Sequence, residues 1–157
     1  MVRIAELLDE TTDRLRGALG DDLLAVALFG SRARDDARPD SDVDLYVVAL
    51  GLPQDPFGRA EVMARAQVSQ VELAVSILAR TPEEFSRDIT PLQLDLALDA
   101  RVLFERDAWL STRLATVRHR IEEAGLERGA DGVWRWRVAP RTFDWAVGWD
   151  GVHGVGP

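Results

Sequence analysis

The sequence predicts an α/β (α+β) domain, and three observations carry that prediction. Residues 23–29 are continuously apolar with no helical period. Residues 43–47 and 71–77 alternate apolar with more polar side chains, and two long stretches, 3–19 and 108–124, gather their apolar residues on one helical side. Short apolar runs and two-residue alternation are strand patterns, whereas a stripe recurring every three or four residues marks an amphipathic helix.

In chain order, Ile4, Leu7, Leu8, Leu15 and Leu19 define the first helix, with Gly20 as its stop. Leu23-Leu24-Ala25-Val26-Ala27-Leu28-Phe29 predicts a buried strand that delivers Gly30 and Ser31 at its end. The polar stretch 35–41, which contains Pro39, reads as a loop. Val43, Leu45 and Val47 then alternate with Asp42, Asp44 and Tyr46, a strand with one apolar and one more polar face. Gly51, Pro53 and Pro56 break the chain before a helix over residues 57–67. A third strand is predicted where Val71, Leu73, Val75 and Ile77 alternate with Glu72, Ala74 and Ser76.

Thr81-Pro82-Glu83-Glu84 has the form of a helix start, with Thr at the cap, Pro in the first turn and a carboxylate three residues after the cap. The leucines at 92, 94, 96 and 98 can be read as alternating, yet the Leu and Ala content of residues 91–100 favours a short helix. Val102-Leu103-Phe104 predicts a short strand before the helix at 108–124, whose side is lined by Leu110, Leu114, Val117 and Ile121. Residues 133–138 read as a strand or hairpin arm, with Trp134 and Trp136 on one face and Arg135 and Arg137 on the other. The division expected is one domain over residues 1–125 and a Trp-rich extension over 126–157, packed on it or partly flexible.

A chain of 157 residues is long enough to bury a full core in a single domain. It has no Cys, which excludes a disulfide framework and thiolate zinc sites and suits a cytoplasmic setting. His119 and His153 lack zinc-spaced partners. No apolar run approaches the roughly 20 residues needed to cross a bilayer. Glu6, Asp9, Glu10 and Asp13 stand where a signal peptide needs an apolar core, so no membrane association is expected. The formal charge of −8 disfavours an extended nucleic acid as partner, and a homo-oligomer is compatible with the composition.

The chemistry-bearing residues gather in two short runs, Phe29-Gly30-Ser31-Arg32-Ala33-Arg34 and Ser41-Asp42-Val43-Asp44-Leu45. Residues two apart on a strand point to the same side, about 6.5 Å apart along it. Asp42 and Asp44 can therefore both aim at divalent cations of the kind used in paired-metal phosphoryl chemistry. Gly30 would let the backbone turn closely around a phosphate, and the amide and hydroxyl of Ser31 could donate to its oxygens. A helix beginning after Ser31 would add positive potential.

Arg32 and Arg34 are candidates for the β- and γ-phosphates, with Arg38 weaker. The competing role for these arginines is pairing with Asp35, Asp36 and Asp40. Glu72, on the polar side of its predicted strand, is the best third carboxylate, able to complete a metal site and to accept the proton of an acceptor hydroxyl. No Gly-Lys-Ser/Thr ending follows the glycine turn, so this is not the usual P-loop.

The string GSRARDDARPDSDVDLYVV resembles the nucleotidyltransferase superfamily of the DNA polymerase β type, especially its small stand-alone, antitoxin-like members, the minimal nucleotidyltransferases. VELAVSILARTPEEF and RVLFERD extend the likeness over residues 5–105. Gly30-Ser31 match the family's first element, Asp42-Val43-Asp44 the second, and Glu72 takes the third acidic position, where relatives often have Asp. Asp35 stands where many relatives have Gly.

The resemblance implies the nucleotidyltransferase fold, a mixed sheet of four or five strands with helices mainly on one face. It also implies binding of ATP or another nucleoside triphosphate with Mg2+, Mn2+ being the alternative ion. A nucleoside monophosphate, expected to be AMP, would pass to a hydroxyl on a protein or small-molecule acceptor. A helical toxin is the specific protein acceptor the family suggests. The competing expectation is a catalytically weak binding protein or antitoxin that acts by complex formation.

Overall fold

The computed structural model of the protein describes residues 3–66 and 73–138. Helix α1 (Ile4–Leu19) buries Leu7, Leu8, Thr11 and Leu15 and ends at Gly20, whose φ of 55° lies in the region glycine tolerates best. Glu6 in its first turn and Arg16 in its last complement the helix dipole.

Strand β1 (Leu23–Phe29) pairs antiparallel with β2 (Val43–Ala49), from Leu23↔Ala49 to Phe29↔Asp44. β2 runs parallel to β3 (Val75–Arg80), and β4 (Arg101–Glu105) pairs antiparallel with the other side of β1. The order β3-β2-β1-β4 makes a mixed four-stranded sheet, as expected. β1 and β2 are central and almost wholly buried, which is why β1 reads as a continuous apolar run rather than an alternating one.

Three helices, α3 (Pro82–Arg87), α4 (Pro91–Asp99) and α5 (Trp109–Ala124), pack on the sheet face presenting Ala25, Ala27, Tyr46 and Val48. Residues of the opposite parity, Val26, Leu28, Val43, Leu45 and Val47, meet α1 and α2 (Pro56–Ala64). An edge-to-face series of rings, Phe29, Tyr46, Phe85 and Trp109, runs through the larger cluster with centroids 5.4–6.2 Å apart. Tyr46 is 2% exposed, and burial pushes its phenol up to about 12.

Reciprocal capping boxes begin both α3 and α4. Thr81 and Glu84 bond each other's backbone amides, as do Thr90 and Gln93. The second box, with Pro91 in the first turn, resolves the ambiguity of the leucines in favour of helix; Leu94 and Leu96 are buried while Leu98 is exposed. The third strand and helix α2 depart most from expectation. The third strand starts at Val75 and runs to Arg80, because its pairing begins at Val43↔Val75; of the residues expected to begin it, 73 and 74 are not strand and 71 and 72 lie outside the described residues. Helix α2 ends at Ala64, short of residue 67.

Strands β5 (Leu126–Arg128) and β6 (Trp134–Trp136) form a separate hairpin. Trp134 packs against the larger cluster, whereas Trp136 is exposed and Arg135 pairs with Asp131. Trp145 and Trp149 lie outside the described residues.

Arg59 of α2 ties elements of both layers together. Its guanidinium donates to the carbonyls of Pro53 and Ala79 and to both carboxylate oxygens of Glu84, at 2.7–3.2 Å. Those bonds from Arg59 hold Glu84 below the usual carboxylate range. A lowered pKa in the folded state adds stability that is present above the ordinary glutamate value and is lost as pH falls through the lowered one. Arg59→Ala is expected to cost about 2–4 kcal/mol in urea unfolding at neutral pH, with part of the deficit disappearing in acid.

Candidate functional site

Gly30 leaves β1 with a φ of 73°. A Cβ at this position would stand 2.5 Å from Oδ2 of Asp44, so the bend and the carboxylate lie within contact of one another. Antiparallel pairing of Phe29 with Asp44 brings them together. The bend continues through residues 31–35 as a turn, with Ala33 N donating to Gly30 O at 3.2 Å and Asp36 N to Ser31 O at 3.1 Å. No regular helix follows Ser31, so a phosphate there would rest on its amide and hydroxyl without a helix dipole behind them.

Asp42 is exposed just before β2, and Asp44 is half-buried at its start. Burial, and then the charge of Asp42, push the Asp44 carboxyl above its ordinary value. A carboxylate whose ionisation is opposed by burial and by a neighbouring carboxylate suits a divalent cation, which would offset both charges. Their oxygen donors match the preference of magnesium or manganese.

Glu72 lies outside the described residues, and among the described residues no group of three or more Asp, Glu, His or Cys side chains gathers in a way that could hold a metal. The β3 residue in register with Asp44 is Ser76, an exposed hydroxyl.

The arginines proposed for phosphate are engaged locally. Nε of Arg32 donates to Ser41 O at 2.9 Å and Nη2 to Pro39 O at 3.2 Å, closing the 31–41 loop upon itself. Nε of Arg34 donates to Asp36 at 3.1 Å, and its Nη1 stands 3.8 Å from Oδ2 of Asp99. The side chain of Arg32 thus reaches back to the loop just ahead of Asp42, and that of Arg34 toward the end of α4.

Asp35 adopts a positive φ of 61°, backbone that glycine tolerates best. Its carboxylate turns to Arg101 on β4, whose Nε also holds Ala33 O at 3.1 Å. The acidic side chain is therefore drawn to β4 by a cation. Nothing in the local sequence points to Arg101, since this contact joins residues 66 apart.

Asp95 and Asp99 were also missed, although a signal existed. Like charges four apart on one helical side repel unless a cation lies between them. Arg128 of β5 supplies it, donating from Nη1 to Asp99 Oδ2 at 2.6 Å and to Asp95 at 3.0 Å, and from Nη2 to Asp99 Oδ1 at 2.9 Å. The indole N–H of Trp134 adds a bond to Asp95 at 3.0 Å.

A family model described as "Polymerase beta, Nucleotidyltransferase" matches residues 18–108. The Methanocaldococcus jannaschii protein named "Putative protein adenylyltransferase MJ1305" is 29% identical over 116 residues, covering 71% of this chain and 79% of that protein. Among solved structures, a toxin-antitoxin with AMP-PNP superposes with a TM-score of 0.52 at 17% identity, over 73% of this chain and 87% of that one. Spectinomycin adenyltransferase AAD(9) from Enterococcus faecialis, with ATP and spectinomycin, gives a TM-score of 0.56 at 11% identity, over 78% of this chain and 66% of that one. Both structural likenesses are likenesses of fold.

Proposed function

This chain belongs to the polymerase beta nucleotidyltransferase family, and on that premise we propose that it transfers AMP from ATP to a hydroxyl on a protein acceptor. The observation that carries the reading is the Gly30 bend lying against the carboxylate of Asp44, with Asp42 close enough to perturb it. That arrangement suits a phosphate chain on one side and cations on the other. Adenine as the base is supported by the AMP-PNP and ATP in the two similar structures. A protein acceptor is supported by the name of the archaeal relative and by the toxin-antitoxin likeness. A helical toxin is the acceptor we favour, and the cytoplasm the setting.

In the reaction proposed, the acceptor oxygen bonds to the α-phosphorus as the bond from that phosphorus to the β-bridging oxygen breaks. Pyrophosphate leaves, and the hydroxyl proton passes to a base. Asp42 and Asp44 would hold magnesium, or manganese in its place, which when bound would neutralise the triphosphate and sharpen the acidity of the hydroxyl. Ser31 and the Gly30 backbone would cradle the departing phosphates, with Arg34 turning toward them. Glu72 is proposed as the third carboxylate and proton acceptor, and Glu72→Gln should lower the rate of transfer while leaving magnesium-ATP binding measurable.

The test is incubation of the chain with magnesium-ATP and the protein encoded beside it. An increase of one adenylyl group in the partner's mass, with release of pyrophosphate, supports transfer. A second reading, a weak catalyst acting by complex formation, is favoured by Ser76 occupying the place in register with Asp44 where a further carboxylate would strengthen the site. A stable complex with unchanged masses would select that second reading.

A further inference from the structure

The hairpin Leu126–Trp136 lies beyond the family-matched residues 18–108, yet it reaches Arg34 of the 31–35 turn through a shared carboxylate. Oδ2 of Asp99 faces two guanidinium groups. Arg128 holds it at 2.6 Å and Arg34 stands off at 3.8 Å, outside hydrogen-bond range. Arg128 also spans both oxygens of Asp99 and reaches Asp95, which the Trp134 indole fixes in turn. Asp99 is 13% exposed on its side chain and Arg128 19%, so this pairing is shielded from solvent. The other attachment of Arg34, to Asp36, is an open contact between groups 36% and 56% exposed, and such pairs are weak.

We infer that Arg128 and Trp134 are positioning residues for triphosphate recognition: by occupying Asp99 and Asp95, the hairpin leaves Arg34 loosely held at the phosphate turn and available to the β- and γ-phosphates. Without Arg128, Asp99 would keep an unneutralised, largely buried charge with Arg34 as its nearest cation. The guanidinium would move toward α4 and away from the nucleotide. The inference rests on the proposed reading that a triphosphate binds at the Gly30–Ser31 bend.

Calorimetric titration of the full chain with magnesium-ATP tests both ideas separately. A wild-type chain that binds no ATP overturns the functional reading itself. If the wild type binds, Arg128→Gln is expected to weaken binding about fivefold, the worth of one partly exposed ion pair. Adding Asp99→Asn to that variant is expected to restore the affinity, because the competing carboxylate is gone. In an Arg34→Gln background, Arg128→Gln should have no further effect.

A purely structural role for Arg128 would weaken binding whether or not Arg34 is present, and that result overturns the inference. So does unchanged affinity in Arg128→Gln, or failure of Asp99→Asn to restore it. Should Arg128→Gln fail to fold, the single variant Asp99→Asn decides: about twofold tighter ATP binding supports the inference, and equal or weaker binding overturns it.

Discussion

Gly30→Ala is expected to abolish transfer and to weaken magnesium-ATP binding beyond measurement, the largest effect anticipated for any single methyl group in this protein. Two costs combine. The backbone at Gly30 has a φ of 73°, where an L side chain adds about 1–2 kcal/mol of strain. The new Cβ would also meet Asp44 Oδ2 at 2.5 Å, closer than any real Cβ contact. Either the bend opens or the carboxylate turns away, and each outcome separates the phosphate cradle from the cation ligands. Transfer rate and thermal unfolding should be measured together. A fall in rate of a thousandfold or more alongside a modest loss of stability, about 1–3 kcal/mol, is the predicted pair of results.

Asp44→Asn is expected to divide activity and stability in opposite directions. Transfer should fall by about a thousandfold, the range associated with losing a group that stabilises charge in the transition state. Stability at neutral pH should hold or rise. The folded state raises the Asp44 carboxyl above the ordinary aspartate range, through burial first and Asp42 second. A raised pKa means that the folded state binds its proton more tightly than the unfolded chain, so stability falls as pH rises through the raised value. Asn carries no charge and escapes that loss. Denaturation curves of wild type and variant should therefore separate above the raised pKa, with the variant the more stable, and converge below the ordinary aspartate range. An Asp44→Asn protein less stable than wild type at pH 7 would show that the carboxylate is a structural ligand, and the functional assignment would fail with it.

Much of this architecture is written locally. The run 23–29 has to be buried on both faces because every residue in it is apolar, and it is the strand flanked by β2 and β4. Thr81 and Glu84 announce a helix start through groups only three residues apart, which is why the start of α3 is legible to the residue. The third strand was not, because alternation through Val71, Leu73, Val75 and Ile77 says nothing about where pairing with β2 starts, and Leu78 and Ala79 extend the strand without alternating.

The site divides in the same way. Gly30, Asp42 and Asp44 could be nominated from spacing, and of the two carboxylates only Asp44 lies on β2, Asp42 standing just ahead of it. The partners of the arginines could not be. Which acid Arg34 or Arg101 meets depends on how α4 and β4 come to lie beside the turn, a matter of packing between residues far apart in the chain. The same holds for Asp99, whose approach to the turn needs α4 in place.

The ring series through the core has one consequence for any labelling experiment. Tyr46 is the sole tyrosine of the chain, and it sits between Phe29 and Phe85, withdrawn from solvent. This protein has no phenol to offer itself. A tyrosyl nucleotide ester recovered from its reaction mixture reports on a second polypeptide, and a purified preparation incubated alone serves as its own blank.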